Sequence, residues 1–104
     1  MGGDFKESDW KVFRELRETA LERFCYRTLT ELESVCKENS KPGYERYLAA
    51  YELLQKRDKK VSHMFDAPRR SQMLWQLKLI YNERLLEETE LMRFSEEIQK
   101  LLAS

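Results

Sequence analysis

The chain has 104 residues, a length that fits one domain (1–104) able to build its own core without disulfide or metal staples. Nineteen basic and nineteen acidic side chains leave no formal net charge, which excludes whole-molecule attraction to nucleic acid or an anionic membrane, so that any such partner must use a local patch. A hydrophobic content of 41% argues against disorder, and 37% charged residues with only three Gly and two Pro favour long helices over a turn-rich sheet protein.

No stretch of about 18 apolar residues occurs and the N-terminal segment lacks a signal-peptide core, so the expectation is a soluble cytoplasmic protein without membrane association. Met1-Gly2-Gly3 is not a convincing myristoylation signal, because Lys6 stands where that motif wants Ser or Thr. Residues 1–7 are expected to be frayed or disordered.

Ser8 or Asp9 can cap a first helix. Behind them Trp10, Phe13, Ala20, Leu21, Phe24, Cys25, Thr28, Leu32, Val35 and Cys36 share one side of a 3.6-residue wheel. The pattern makes a rod of roughly 45 Å at the helical rise. Arg14 and Arg17 project from the same face, to overhang the core edge as snorkelling side chains or to meet carboxylates of another helix. Cys25 and Cys36 would be roughly 16 Å apart along that helix, too far for a disulfide, and are read as small buried hydrophobes.

Asn39-Ser40-Lys41-Pro42-Gly43 clusters turn residues and separates this helix from the next. The second helix carries Tyr44, Tyr47, Leu48, Tyr51, Leu54 and Val61 on one side, with Phe65 at its end. This aromatic row is read as core, its hydroxyls reaching the rim. Asp58 falls on the same face and needs a cationic partner there, Arg69 or Arg70 first, then Arg14 or Arg17.

Asp66-Ala67-Pro68 signals a third helix starting near Ala67. From Met73 to Tyr81 seven of nine residues are apolar or aromatic, which marks a central helix enclosed on several sides. The pattern holds to about Glu83 and is then interrupted. Leu91, Phe94, Ile98 and Leu101 open a new stripe, so a turn near residues 84–88 should precede a last helix over about 88–103. One continuous helix over 67–103 is the alternative, and Ser95-Glu96-Glu97 could restart a helix within that region. The expected fold is an all-α antiparallel bundle of three long helices plus a fourth, C-terminal one.

Catalytic templates are unfilled. The single histidine, His63, has no marked nucleophile or metal-ligand partner, and three glycines at positions 2, 3 and 43 cannot form a phosphate loop. Glu87-Glu88 and Glu96-Glu97 read as solvated faces. No enzyme, metal or cofactor is therefore expected.

Charge is nevertheless polarised along the chain. Residues 41–71 hold eight bases and four acids, a net of +4, against −2 for residues 1–40 and −2 for residues 72–104. Arg69 and Arg70 would occupy the first turn of the central helix, where the macrodipole disfavours cations. They either receive an anion, together with Lys56, Arg57, Lys59 and Lys60, or pair internally with Asp58, Asp66 or a glutamate of a neighbouring helix. The functional expectation is a protein–protein interaction module docking a partner or a second copy of itself through leftover apolar surface at Trp75 and Leu79. Anion or nucleic-acid binding at the basic turn is the alternative; against nucleic acid stand the lack of interleaved exposed aromatics and the acidic remainder.

Overall fold

Glu7 to Cys36 contain neither Gly nor Pro, and Glu7 and Asp9 suit the first turn of a helix, so the whole stretch forms one continuous helix. In the computed structural model, which describes residues 5–104, this helix α1 (Glu7–Cys36) is followed by α2 (Gly43–Phe65), a 3-10 turn (Arg70–Gln72), α3 (Met73–Asn82), α4 (Glu88–Leu91) and α5 (Glu96–Ala103). No strand occurs among the described residues. The all-α class is as expected; among the described residues α1 and α2 are the long helices and α3 has ten residues, and the dimensions are 53 × 24 × 23 Å. Of the N-terminal residues expected to be frayed, 1–4 lie outside the described residues; Phe5 packs against the core and Glu7 already belongs to α1.

α1 and α2 form an antiparallel hairpin, and its inner half carries the core. Phe13, Leu16, Ala20 and Phe24 of α1 and Met64 and Phe65 of α2 meet Met73, Leu77 and Ile80 of α3, Leu85 of the following turn, and Phe94, Ile98 and Leu102. α3 packs on both long helices and on α5, which is the enclosure expected of a central helix. Within α5, Leu102 is buried and Leu101 only half-buried, one position later than the sequence stripe.

The third helix does not begin at Ala67. Asp66 ends α2 in an extended conformation, Ala67 has φ 21°, and Arg69 is extended, so helical structure starts at Arg70 and α3 proper at Met73. One local rule bears on this: a residue before Pro is biased away from the helical region, which removes Ala67 from the helix. The expected break after Glu83 is present, which overturns the continuous 67–103 alternative. A second break at residues 92–95 splits the last segment, and the later helix starts behind Ser95, whose hydroxyl accepts from the Ile98 N–H at 3.4 Å.

The α3 end is a Schellman motif with arginine where glycine is usual. Arg84 has φ 57°, its N–H donates to Tyr81 O at 3.0 Å, the Leu85 N–H donates to Ile80 O at 3.4 Å, and the Leu85 and Ile80 side chains are buried. With Gly43 the sole glycine of the described residues, arginines from neighbouring helices bond carbonyls at this end and at the ends of α1 and α2. Arg17 donates to Phe65 O, Arg23 to Leu85 O at 2.8 Å, Arg27 to Glu83 O at 3.1 Å and Arg46 to Cys36 O at 3.0 Å. Arg17, expected to snorkel or meet a carboxylate, thus lies half-buried against a backbone carbonyl and beside Glu18, while Arg14 is exposed.

Asp9 is not a cap of α1. The position before the helix is Lys6, without a side-chain cap, and Asp9 is buried, accepting from the Ser95 N–H at 2.8 Å and the Ser95 hydroxyl at 2.6 Å. One carboxylate therefore ties α1 to the start of α5.

Candidate interaction surface

Among the described residues nothing is packed over the outer half of the hairpin. α1 contains no buried residue after Thr28, and α2 none before Met64. The two helices meet there along a narrow seam. Ala49, Ala50 and Leu53 are half-buried, and Arg57 donates to Glu31 at 2.7 and 3.4 Å. That bond holds the Glu31 carboxyl below the usual glutamate range and raises the Arg57 guanidinium further.

The aromatic row of α2, expected in the core, lies on the other side of the helix. Tyr44 is 71% exposed, Tyr47 66%, Tyr51 54% and Leu54 45%, with Leu48 also exposed. At 100° per residue the row is centred about 140° from the seam, so α2 has two apolar stripes, of which α1 covers the one with the smaller side chains. The Tyr44 and Tyr47 rings stack at 6.4 Å between centroids, and Gln55 donates to the Tyr51 hydroxyl at 3.0 Å.

One edge of this row continues into a groove of about 330 Å³ between α1 and α2, where Cys25 and Leu29 face Leu54, Asp58 and Val61. Cys25 and Cys36 are both exposed, contrary to the burial expected of them: Cys25 lies on the groove side of α1, away from Phe24 and the core, and Cys36 lies at the outer end of the helix. Asp58 is exposed as well. It forms no ion pair among the described residues, and the arginine partner expected for it is not there, since its face of α2 was never buried.

Trp75 and Leu79 form a second, smaller apolar surface. Trp75 is 60% exposed on α3, Leu79 is half-buried, and the two border a groove of about 380 Å³ with Lys60, His63 and Glu83. His63 is an exposed helical side chain.

The six cations of the basic turn are dispersed rather than convergent. Arg57 is engaged by Glu31, Lys60 by Glu83 at 2.7 Å, and Arg70 by Glu7 at 2.7 Å, with the Arg70 guanidinium 5.6 Å from the Trp10 ring centroid. Arg70 thereby takes the internal pairing with a glutamate of a neighbouring helix. Arg69, Lys56 and Lys59 are exposed and make no ion pair among the described residues.

The Tyr44–Leu54 row itself was legible in the sequence as a face. What was missed is that no other helix among the described residues reaches it: α3, with its late start, spans ten residues and does not run the length of the hairpin. Among the described residues no cluster of metal-ligating side chains occurs and no helix is long and apolar enough to cross a membrane. Compared with known protein families, curated proteins and solved structures, the chain matches none.

Proposed function

We propose that the chain is a protein–protein interaction module whose binding face is the uncovered side of the α1/α2 hairpin. The observation that carries this reading is the row of Tyr44, Tyr47, Leu48, Tyr51 and Leu54 exposed on a helix that already has its intramolecular seam. Large aromatic side chains that a fold does not use are the usual anchors of interfaces, since they bring much apolar area at little conformational cost. Trp75 and Leu79 supply a second contact surface of the same kind, smaller and separated from the first.

A photo-crosslinking amino acid in place of Tyr51 tests the reading, with the same probe at exposed Glu33 as control. A single adduct of defined mass at position 51, abolished by Tyr47→Lys, is expected. Absence of an adduct, or one indistinguishable from the control, overturns it.

Anion or nucleic-acid binding through Lys56, Arg57, Lys59, Lys60, Arg69 and Arg70 is the lesser reading, because three of the six are already held by carboxylates. A gel shift without salt-dependent affinity for mixed DNA and RNA would dispose of it.

A further inference from the structure

We infer that the occupant of the hairpin face is a second copy of this chain, with α2 packed antiparallel on the partner's α2 about a two-fold axis. This rests on the interaction reading above and names its partner. Two properties of the face point there: its charge pattern and its area.

The apolar row has one edge in the groove toward α1, and its other edge is charged. On the wheel Glu45, Glu52, Lys56 and Lys59 lie together along that second edge, adjacent to Leu48. All four are exposed and none forms an ion pair among the described residues. The acids occupy the N-terminal half of α2 and the lysines the C-terminal half. In an antiparallel pair the same edge of each helix meets its counterpart running in reverse, so Glu45 comes to the lysine-bearing half of the other copy and the lysines to the acidic half. A parallel pair, whose two-fold runs along the helices, would instead set this edge against the groove edge of the other copy, which carries none of these lysines or glutamates. The pattern is self-complementary under a two-fold axis, which is the requirement for an isologous interface.

The area is of the right order. Taking about 200 Å² for a tyrosine and somewhat less for a leucine, the exposed parts of the row and of Leu29 sum to roughly 600 Å², the upper end for a patch on a monomer. Doubled across a two-fold axis this is about 1,200 Å², the lower bound of specific interfaces. At the groove edge, Leu29 and Cys25 of the two copies lean over the same side of the pair, completing a four-helix arrangement in which the outer hairpin gains the core it lacks.

The experiment is sedimentation equilibrium of the purified chain from about 1 to 100 μM, a range that spans weak and standard-size interfaces. Helix content is followed by circular dichroism for every variant. The expected result is a monomer–dimer equilibrium that Tyr47→Lys/Tyr51→Lys shifts to monomer by at least about 100-fold in Kd. Glu45→Lys/Glu52→Lys should weaken pairing by about tenfold or more, and adding Lys56→Glu/Lys59→Glu to that variant should restore it. Failure of this rescue, with all variants folded, overturns the antiparallel arrangement. A wild-type monomer throughout the range overturns self-association. A crosslink from position 51 to a different protein would then leave the interaction reading standing while the present inference falls; no crosslink at all would remove both.

Discussion

Asp9→Ala should be among the most damaging substitutions at a charged position in this chain. The carboxylate is 2% exposed and accepts two short bonds from Ser95, 86 residues away, which in turn caps α5. Bonds to a charged group contribute about 1.5–3 kcal/mol each, and the Ser95 N–H would be left without its partner. Removing a buried carboxylate also removes its desolvation cost, which offsets part of this loss. The net expectation is about 2–4 kcal/mol, or about 10–25 °C in melting temperature for a domain of this size. Urea denaturation of Asp9→Ala, Ser95→Ala and the double variant measures it, and the coupling between the sites should exceed about 1 kcal/mol. Asp9→Asn, which keeps one acceptor oxygen, should cost less than Asp9→Ala. A loss within about 0.5 kcal/mol for Asp9→Ala, or additive single effects, would refute the claim that this pair fastens α5 to α1.

The two apolar faces should respond differently to truncation. Leu77→Ala, in the core, is expected to cost roughly 2–5 kcal/mol, whereas Tyr47→Ser/Tyr51→Ser should leave the unfolding free energy of the monomer within about 0.5 kcal/mol, measured by denaturation at sub-micromolar concentration. A large loss in the tyrosine variant would show that the row is covered after all. Arg84→Gly should stabilise by about 0.5–1 kcal/mol, because glycine adopts the left-handed conformation of Arg84 without Cβ strain; a lower melting temperature would contradict the strain argument. Acidification should expose the paired glutamates. Hydrogen bonds from Arg23 to Glu90 and from Arg57 to Glu31 lower both carboxyls below their ordinary range in the folded state. Their contribution is therefore present in full above the glutamate range and lost as pH falls through the lowered folded values. The stability difference between wild type and Glu90→Gln should accordingly shrink between about pH 7 and pH 3, and a difference that stays constant would refute the pairing.

Much of the fold was legible because its signals are local. The uninterrupted Glu7–Cys36 stretch, the Pro42-Gly43 break, the end of α3 at Asn82 and the restart behind Ser95 each follow from residues within a few positions of the feature. The misplaced start of α3 was also local: Pro68 as a first-turn residue competed with the bias Pro68 imposes on Ala67, and Ala67 is out of the helix. Asp9 could not be read correctly, because its partner is Ser95 and no neighbour in sequence reveals it.

Periodicity determines which residues share a side of a helix, and for α2 it grouped Tyr44, Tyr47, Leu48, Tyr51 and Leu54 correctly. It carries no information on which side another element will reach. That depended on lengths and crossings settled only in three dimensions: α3 spans ten residues, its end is held at Arg27 and Lys60 by Glu83, and none of the described residues lies over the hairpin beyond that level. α1 then covers the Ala49, Ala50 and Leu53 side, whose small residues let two helices come close, and the tyrosines are left facing outward. The sequence alone determined that Tyr44, Tyr47, Leu48, Tyr51 and Leu54 share one face of α2. Tertiary packing decided which of its two apolar faces became seam and which remained surface.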